Sequence, residues 1–173
     1  MPTPLEILLD PVSLIVLAAY GGLMLWEAVL PGRKLPPIRG WRARGLASFA
    51  VFFYLSTYLP LLWDGYLAQY RLVDLTGLAT AAQVAIGLLV YELGAYLWHR
   101  SMHASTVLWR SLHQMHHSAE RLDTFGAFYF SPLDMIGWTL LGSLALVVVV
   151  GVDARAATIL VLAITFLGAF QHA

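Results

Sequence analysis

The sequence predicts an all-α integral membrane helical bundle with about five apolar spans. Three observations carry this. The chain is 60% hydrophobic and only 12% charged, with a mean hydropathy of +0.73. Soluble domains carry about 25% charged and about 45–50% apolar residues, so this composition is too apolar for a water-soluble globule. The apolar residues also fall into five blocks about as long as a bilayer is thick. The blocks must be helical, because lipid offers no partner to open backbone groups.

The first block, Pro11 to Trp26, is uncharged, and its apolar pattern continues past Glu27 to Leu30. Gly45 to Trp63 gives 19 uncharged residues. Leu75 to Tyr91 is apolar and carries on past Glu92 into His99. Met135 to Val152 gives 18 residues and Ala156 to His172 gives 17. A span needs about 20 residues, with a range of roughly 17–25. The second and fourth blocks meet this unaided; the others do so with a polar residue near one end. Gly151 to Arg155 reads as a tight turn, making the last two spans a hairpin. Residues 1–173 form a single integral membrane domain: two N-terminal spans and loops over 1–74, then a histidine-bearing region over 75–173.

Orientation follows from the basic residues. The 31–44 loop, PGRKLPPIRGWRAR, carries Arg33, Lys34, Arg39, Arg42 and Arg44, and such loops stay cytoplasmic. Threading five spans from there puts 64–74 outside, 99–134 inside, 151–155 outside and His172 inside. All six histidines then share the cytoplasmic face. In a bacterium this is the inner membrane.

Other classes are excluded by composition. The formal net charge is zero, which gives no electrostatic case for nucleic acid. There is no cysteine, so disulfides, thiolate metal sites and cysteine nucleophiles are absent.

The histidines carry the chemistry. His99 and His103 form HRSMH, His113, His116 and His117 form HQMHH, and His172 follows the last apolar block. Neutral imidazole is the commonest metal ligand. Positions i and i+4 lie on one face of a helix, so His99 and His103 point the same way. His113, His116 and His117, at i, i+3 and i+4, are expected to present three imidazoles to one point. HRSMH has arginine where a zinc protease needs its glutamate, which removes that reading. A structural zinc site closes with four ligands. Six histidines suggest two metals, and imidazole suits iron, copper, nickel and zinc alike. A bis-histidine haem carrier and a non-catalytic membrane metal-binding or transport protein are the alternatives. The first needs no HxxHH, and the second favours polar residues along the spans.

Carboxylates often hold metal-bound histidines by their second nitrogen. Glu92 shares a face with Tyr96, His99 and His103, and Asp123 and Asp134 flank FGAFYFSPL. All three are candidates for that outer position, with Glu92 pairing to an arginine as its alternative. Glu27 reads as an interface residue. Phe125, Phe128, Tyr129 and Phe130 suggest a lipid entrance or an interfacial aromatic belt.

HRSMH and HQMHHS at this spacing, followed by SAERLDTFGAFYFSPLD, resemble the fatty acid hydroxylase/sterol desaturase superfamily over roughly residues 85–173. HxxxH maps to His99 and His103, and HxxHH to His113, His116 and His117. QHA, with His172, is similar to the start of the next histidine motif. The resemblance implies an oxidoreductase of lipid biosynthesis with two non-haem iron ions. It would use O₂ to hydroxylate or desaturate a lipid of fatty acid or sterol type. It also implies a lipid substrate in the bilayer and an external electron donor, cytochrome b5-like or ferredoxin-type. The family carries a further HxxHH downstream, so the chain is expected to be truncated at its C-terminus.

Overall fold

The computed structural model describes residues 1–173. A short helix α1 (Pro4–Leu9) opens the chain, with Thr3 and Glu6 forming a reciprocal capping box. Asp10 then caps α2 (Pro11–Val29), whose proline at the first helical position needs no amide partner. Gly40 adopts φ 72°, a left-handed turn that starts α3 (Trp41–Leu67). Residues 68–70 add a 3₁₀ turn, and β1 (Val73–Asp74) follows. Next comes α4 (Thr80–Ala104), the longest histidine-bearing element.

The segment after α4 is irregular. A single turn α5 (Thr106–Leu108) widens into a π-turn over Trp109–His113 and closes as α6 (Gln114–His117). After a 3₁₀ turn at Thr124–Gly126 comes α7 (Pro132–Ser143), which continues as a π-helix over Leu144–Val149. A short β2 (Val150–Gly151) leads to α8 (Ala154–Phe170). β1 and β2 pair in parallel, Val73 opposite Val150 and Asp74 opposite Gly151.

The all-α bundle predicted from composition is what forms. Four helical stretches are long and apolar enough to span a membrane: Pro11–Val29, Trp41–Tyr70, Thr80–Ala104 and Pro132–Val149. The fifth, α8, is apolar but has 17 residues. Only 28 of 173 residues are buried, while large apolar side chains such as Leu25, Leu62 and Leu89 face outward. That inversion is the mark of a chain solvated by lipid.

The hairpin expectation needs adjusting. Gly151 and Asp153 do turn the chain, but α8 lies mainly against α2 and α4 rather than α7. Asp153 helps to fix that placement. It caps α8 through Ala156 N, and its other oxygen accepts 2.7 Å from Gln83 Nε2 on α4. Gln83 Oε1 in turn accepts from Asp153 N at 2.8 Å.

At the other end of the bundle, a core of Ile7, Val16, Tyr20, Phe49, Phe53, Ala127, Phe128 and Ala169 joins α2, α3 and α8 to the 124–130 loop. Gly45 on α3 lets this loop approach: a Cβ there would run into the Phe125 carbonyl. The loop is also held by polar bonds. Tyr20 Oη donates to Thr124 O at 3.0 Å, and Glu27 Oε2 accepts from Thr124 N at 2.9 Å. Arg33 and Arg121 donate to the Leu122 and Pro36 carbonyls. The basic 31–44 segment therefore lies at the same end as the histidine-bearing loop.

Candidate metal centre

All six histidines gather at that end, but in two groups. His99 and His103 come from the last turns of α4, one turn apart. Their Nε2 atoms are 2.9 Å apart. His113 ends the π-turn and His117 ends α6, with Nε2 atoms 3.1 Å apart. The ligand nitrogens of these four lie within 4.8 Å of one another.

His116 points elsewhere. It is one residue before His117, about 100° round the helix, and its Nε2 meets that of His172 at 3.4 Å. Its ring packs on Phe130, with centroids 4.6 Å apart. The expectation that His113, His116 and His117 converge on one point is thus corrected. His113 and His117 join the α4 pair, and His116 turns to α8. The two groups still adjoin: the His113 and His116 rings are 5.3 Å apart.

The outer partners also sort themselves. Asp134 is fully buried, and its Oδ2 accepts from His113 Nδ1 at 2.9 Å. A carboxylate can only accept, so the His113 proton sits on Nδ1 and its Nε2 lone pair faces the other histidines. The structure builds this contact with care. Ser131 caps α7 through Asp134 N, and its hydroxyl donates to Leu112 O at 2.8 Å, tying α7 to the π-turn. His172 is fixed in the same manner, its Nδ1 donating to Gly168 O at 2.9 Å.

The other two carboxylates do not reach a histidine. Asp123 is buried, accepting 2.8 Å bonds from Trp41 Nε1 and Arg121 Nε and a bond from Gly126 N. It anchors the loop to α3. Glu92 is exposed on α4 and takes part in none of the ion pairs. Its one-face relation to His99 holds along the helix, but the side chain points away from the protein. The aromatic run divides too. Phe128 is core, Tyr129 packs on Trp41 and Phe125 lies under Arg42. Only Phe130 touches a histidine.

Sequence reasoning overlooked Trp109. Its ring centroid is 5.1 Å from both His103 and His117. The signal was present: Trp109 is four residues before His113 and eight before His117, on the same face. Trp138, 6.3 Å from His99, is the matching wall on α7.

The donor set fits metal ions. Imidazole nitrogens bound at about 2.0–2.1 Å from one ion lie at most about 4.2 Å apart. Four nitrogens within 4.8 Å need only a slight closure. In each of the pairs 2.9 and 3.1 Å apart, one neutral ring can donate from its Nε2–H tautomer to the other, and loss of that proton frees both nitrogens for an ion. Burial, then the neighbouring His172, His113 and His117, pushes His116 down to about 3. Burial, then His113 and His103, lowers His117 as well. Both are therefore neutral and ligand-competent at physiological pH. His116 Nδ1 is buried without a partner. The residue stands beside His172, the two Nε2 atoms 3.4 Å apart.

Fold and site together define a multi-pass membrane protein with a cluster of histidines that could hold a metal ion. The fatty acid hydroxylase family matches residues 84–173, just over half of the chain and all six histidines, and the chain belongs to that family. Comparisons with curated proteins and with solved structures gave no match. Family membership makes its general function of the lipid hydroxylase or desaturase type.

Proposed function

We propose that the protein is a non-haem di-iron oxidoreductase that uses O₂ to hydroxylate or desaturate a fatty acid or sterol type lipid. The observation that carries this reading is the convergence of four histidine nitrogens within 4.8 Å, one of them set by a buried carboxylate, in a chain of the hydroxylase family. His99, His103, His113 and His117 would hold one ion, and His116 and His172 would contribute to the second. An unactivated C–H bond has no acidic proton and no leaving group, so bound iron would supply the oxidising chemistry.

The chain's own residues do the remaining work. Asp134 keeps the His113 proton on Nδ1. Trp109, Trp138 and Phe130 wall the imidazoles and hold them in place. An apolar groove of about 200 Å³ between α2 and α8, lined by Ile15, Tyr20, Leu23, Leu162, Phe166 and Ala169, suits an acyl chain. It reaches Ala169, three residues before His172. The reacting carbon would approach the histidines without leaving lipid.

The Lys/Arg-rich 31–44 segment, at the histidine end, supports a cytoplasmic orientation of the centre. An external donor, cytochrome b5-like or ferredoxin-type, would then deliver electrons on that face.

Elemental analysis of the detergent-purified protein tests the reading. About two irons per chain are expected, lost on His113→Ala. No iron, or one tightly held zinc, overturns it. Oxygen-dependent conversion of a lipid panel by the iron-loaded protein then separates hydroxylation from desaturation.

A further inference from the structure

Trp109 opens the π-turn and lies against three of the four clustered histidines. Its ring centroid is 5.1 Å from those of His103 and His117 and 6.1 Å from that of His113. It also lines an open pocket of about 350 Å³, together with His103, Ala104 and Thr106. Small molecules can reach the cluster through this pocket. The apolar groove comes to the histidine end elsewhere, at Ala169. Dioxygen and electrons therefore have a way in that does not wait for a lipid. A centre that makes an oxidant must keep it from competing targets. The indole of Trp109 is the target most at risk. It is richer in electrons than the phenyl ring of Phe130, which faces His116. Trp138 carries an indole too, but among the clustered rings it meets His99 alone, at 6.3 Å.

We propose that Trp109 is a self-oxidation site: with no lipid in place, an oxygen atom from dioxygen enters one of its indole C–H bonds. The inference rests on the di-iron reading above. In this step the C–H bond breaks, a C–O bond forms and the hydrogen ends on the new hydroxyl. Dioxygen takes two electrons from the indole carbon and two from an external one-electron reductant. With two protons from water, its second oxygen atom leaves as water. The product is a hydroxytryptophan beside His103 and His117.

The test exposes iron(II)-loaded protein, in lipid-free detergent, to isotope-labelled dioxygen with ascorbate as reductant. Peptide mass spectrometry should find one labelled oxygen atom on Trp109. The label should be lost when zinc replaces iron and in His113→Ala. A second measurement needs neither iron nor oxygen. Cobalt(II) added to the metal-free protein should quench tryptophan emission, and Trp109→Phe should remove most of that quenching. An unlabelled Trp109, label spread equally over Trp138 or Met115, or quenching that survives Trp109→Phe would overturn the proposal. If iron is bound and a lipid is converted in those same preparations, the di-iron reading stands without it. If the protein binds no iron, both fall together. Should the phenylalanine variant misfold, the labelled peptide alone decides.

Discussion

The four-histidine cluster and the His116–His172 pair stand side by side but are built in different ways. The cluster joins two short local motifs, each an i, i+4 pair on a helical turn, and only the meeting of α4 with the π-turn is tertiary. The pair depends on tertiary packing alone: one ring comes from α6, the other from the turn just past α8, 56 residues later. One group is made by helix periodicity, the other by the docking of α8 and the 124–131 loop. The first should therefore resist distant perturbation and the second should not.

The largest expected effect breaks the cluster. His113→Ala removes a ligand and leaves Asp134 buried without a partner, a loss of about 3–5 kcal/mol. Metal at the cluster should fall to background by elemental analysis, and thermal stability in detergent should fall with it. His172→Gln sharpens the contrast. It should halve the metal content while leaving the cluster loaded, seen as one surviving environment in X-ray absorption. Asp134→Asn keeps the shape but removes the acceptor charge at His113. Cluster affinity should weaken by about 10–100-fold, measured by competition with a chelator.

Smaller effects probe the loop. Gly45→Ala pushes a methyl group into the Phe125 carbonyl. A destabilisation of about 1–3 kcal/mol is expected. Because Phe130 lies under His116 on this loop, metal at the pair should suffer before metal at the cluster. Acidification gives the mildest separation. His116 is held down to about 3, below its ordinary 6.5, mainly by burial. The unfolded chain therefore binds the proton first, and the metal-free fold should lose stability as pH falls from about 6.5 toward 3. His116→Gln should flatten that part of a pH–stability curve.

Much of this was legible in the residues themselves. Uncharged blocks such as Gly45–Trp63 announced the spans, and HRSMH announced the shared face of His99 and His103. The divergence of His116 was not legible. Three histidines at i, i+3 and i+4 span about 100°, wide enough to serve two targets, and only the position of α8 decides. Asp134 was marked as a candidate by its place beside an aromatic run, but so was Asp123. What separates them is which element each faces, α7 against the π-turn or the loop against α3. Glu92 shares a helical face with His99, yet a common face does not make a contact when that face is turned outward.

The loop between α6 and α7 carries a further consequence, one of timing. Its anchors, Tyr20, Glu27, Trp41 and Gly45, all lie within the first 45 residues of the chain. They reach the membrane long before residues 118–131 leave the ribosome. The early helices thus act as a mould, ready when the loop arrives, and the histidine end is cast against them. A transplanted 84–173 segment would bring every histidine and leave the mould behind.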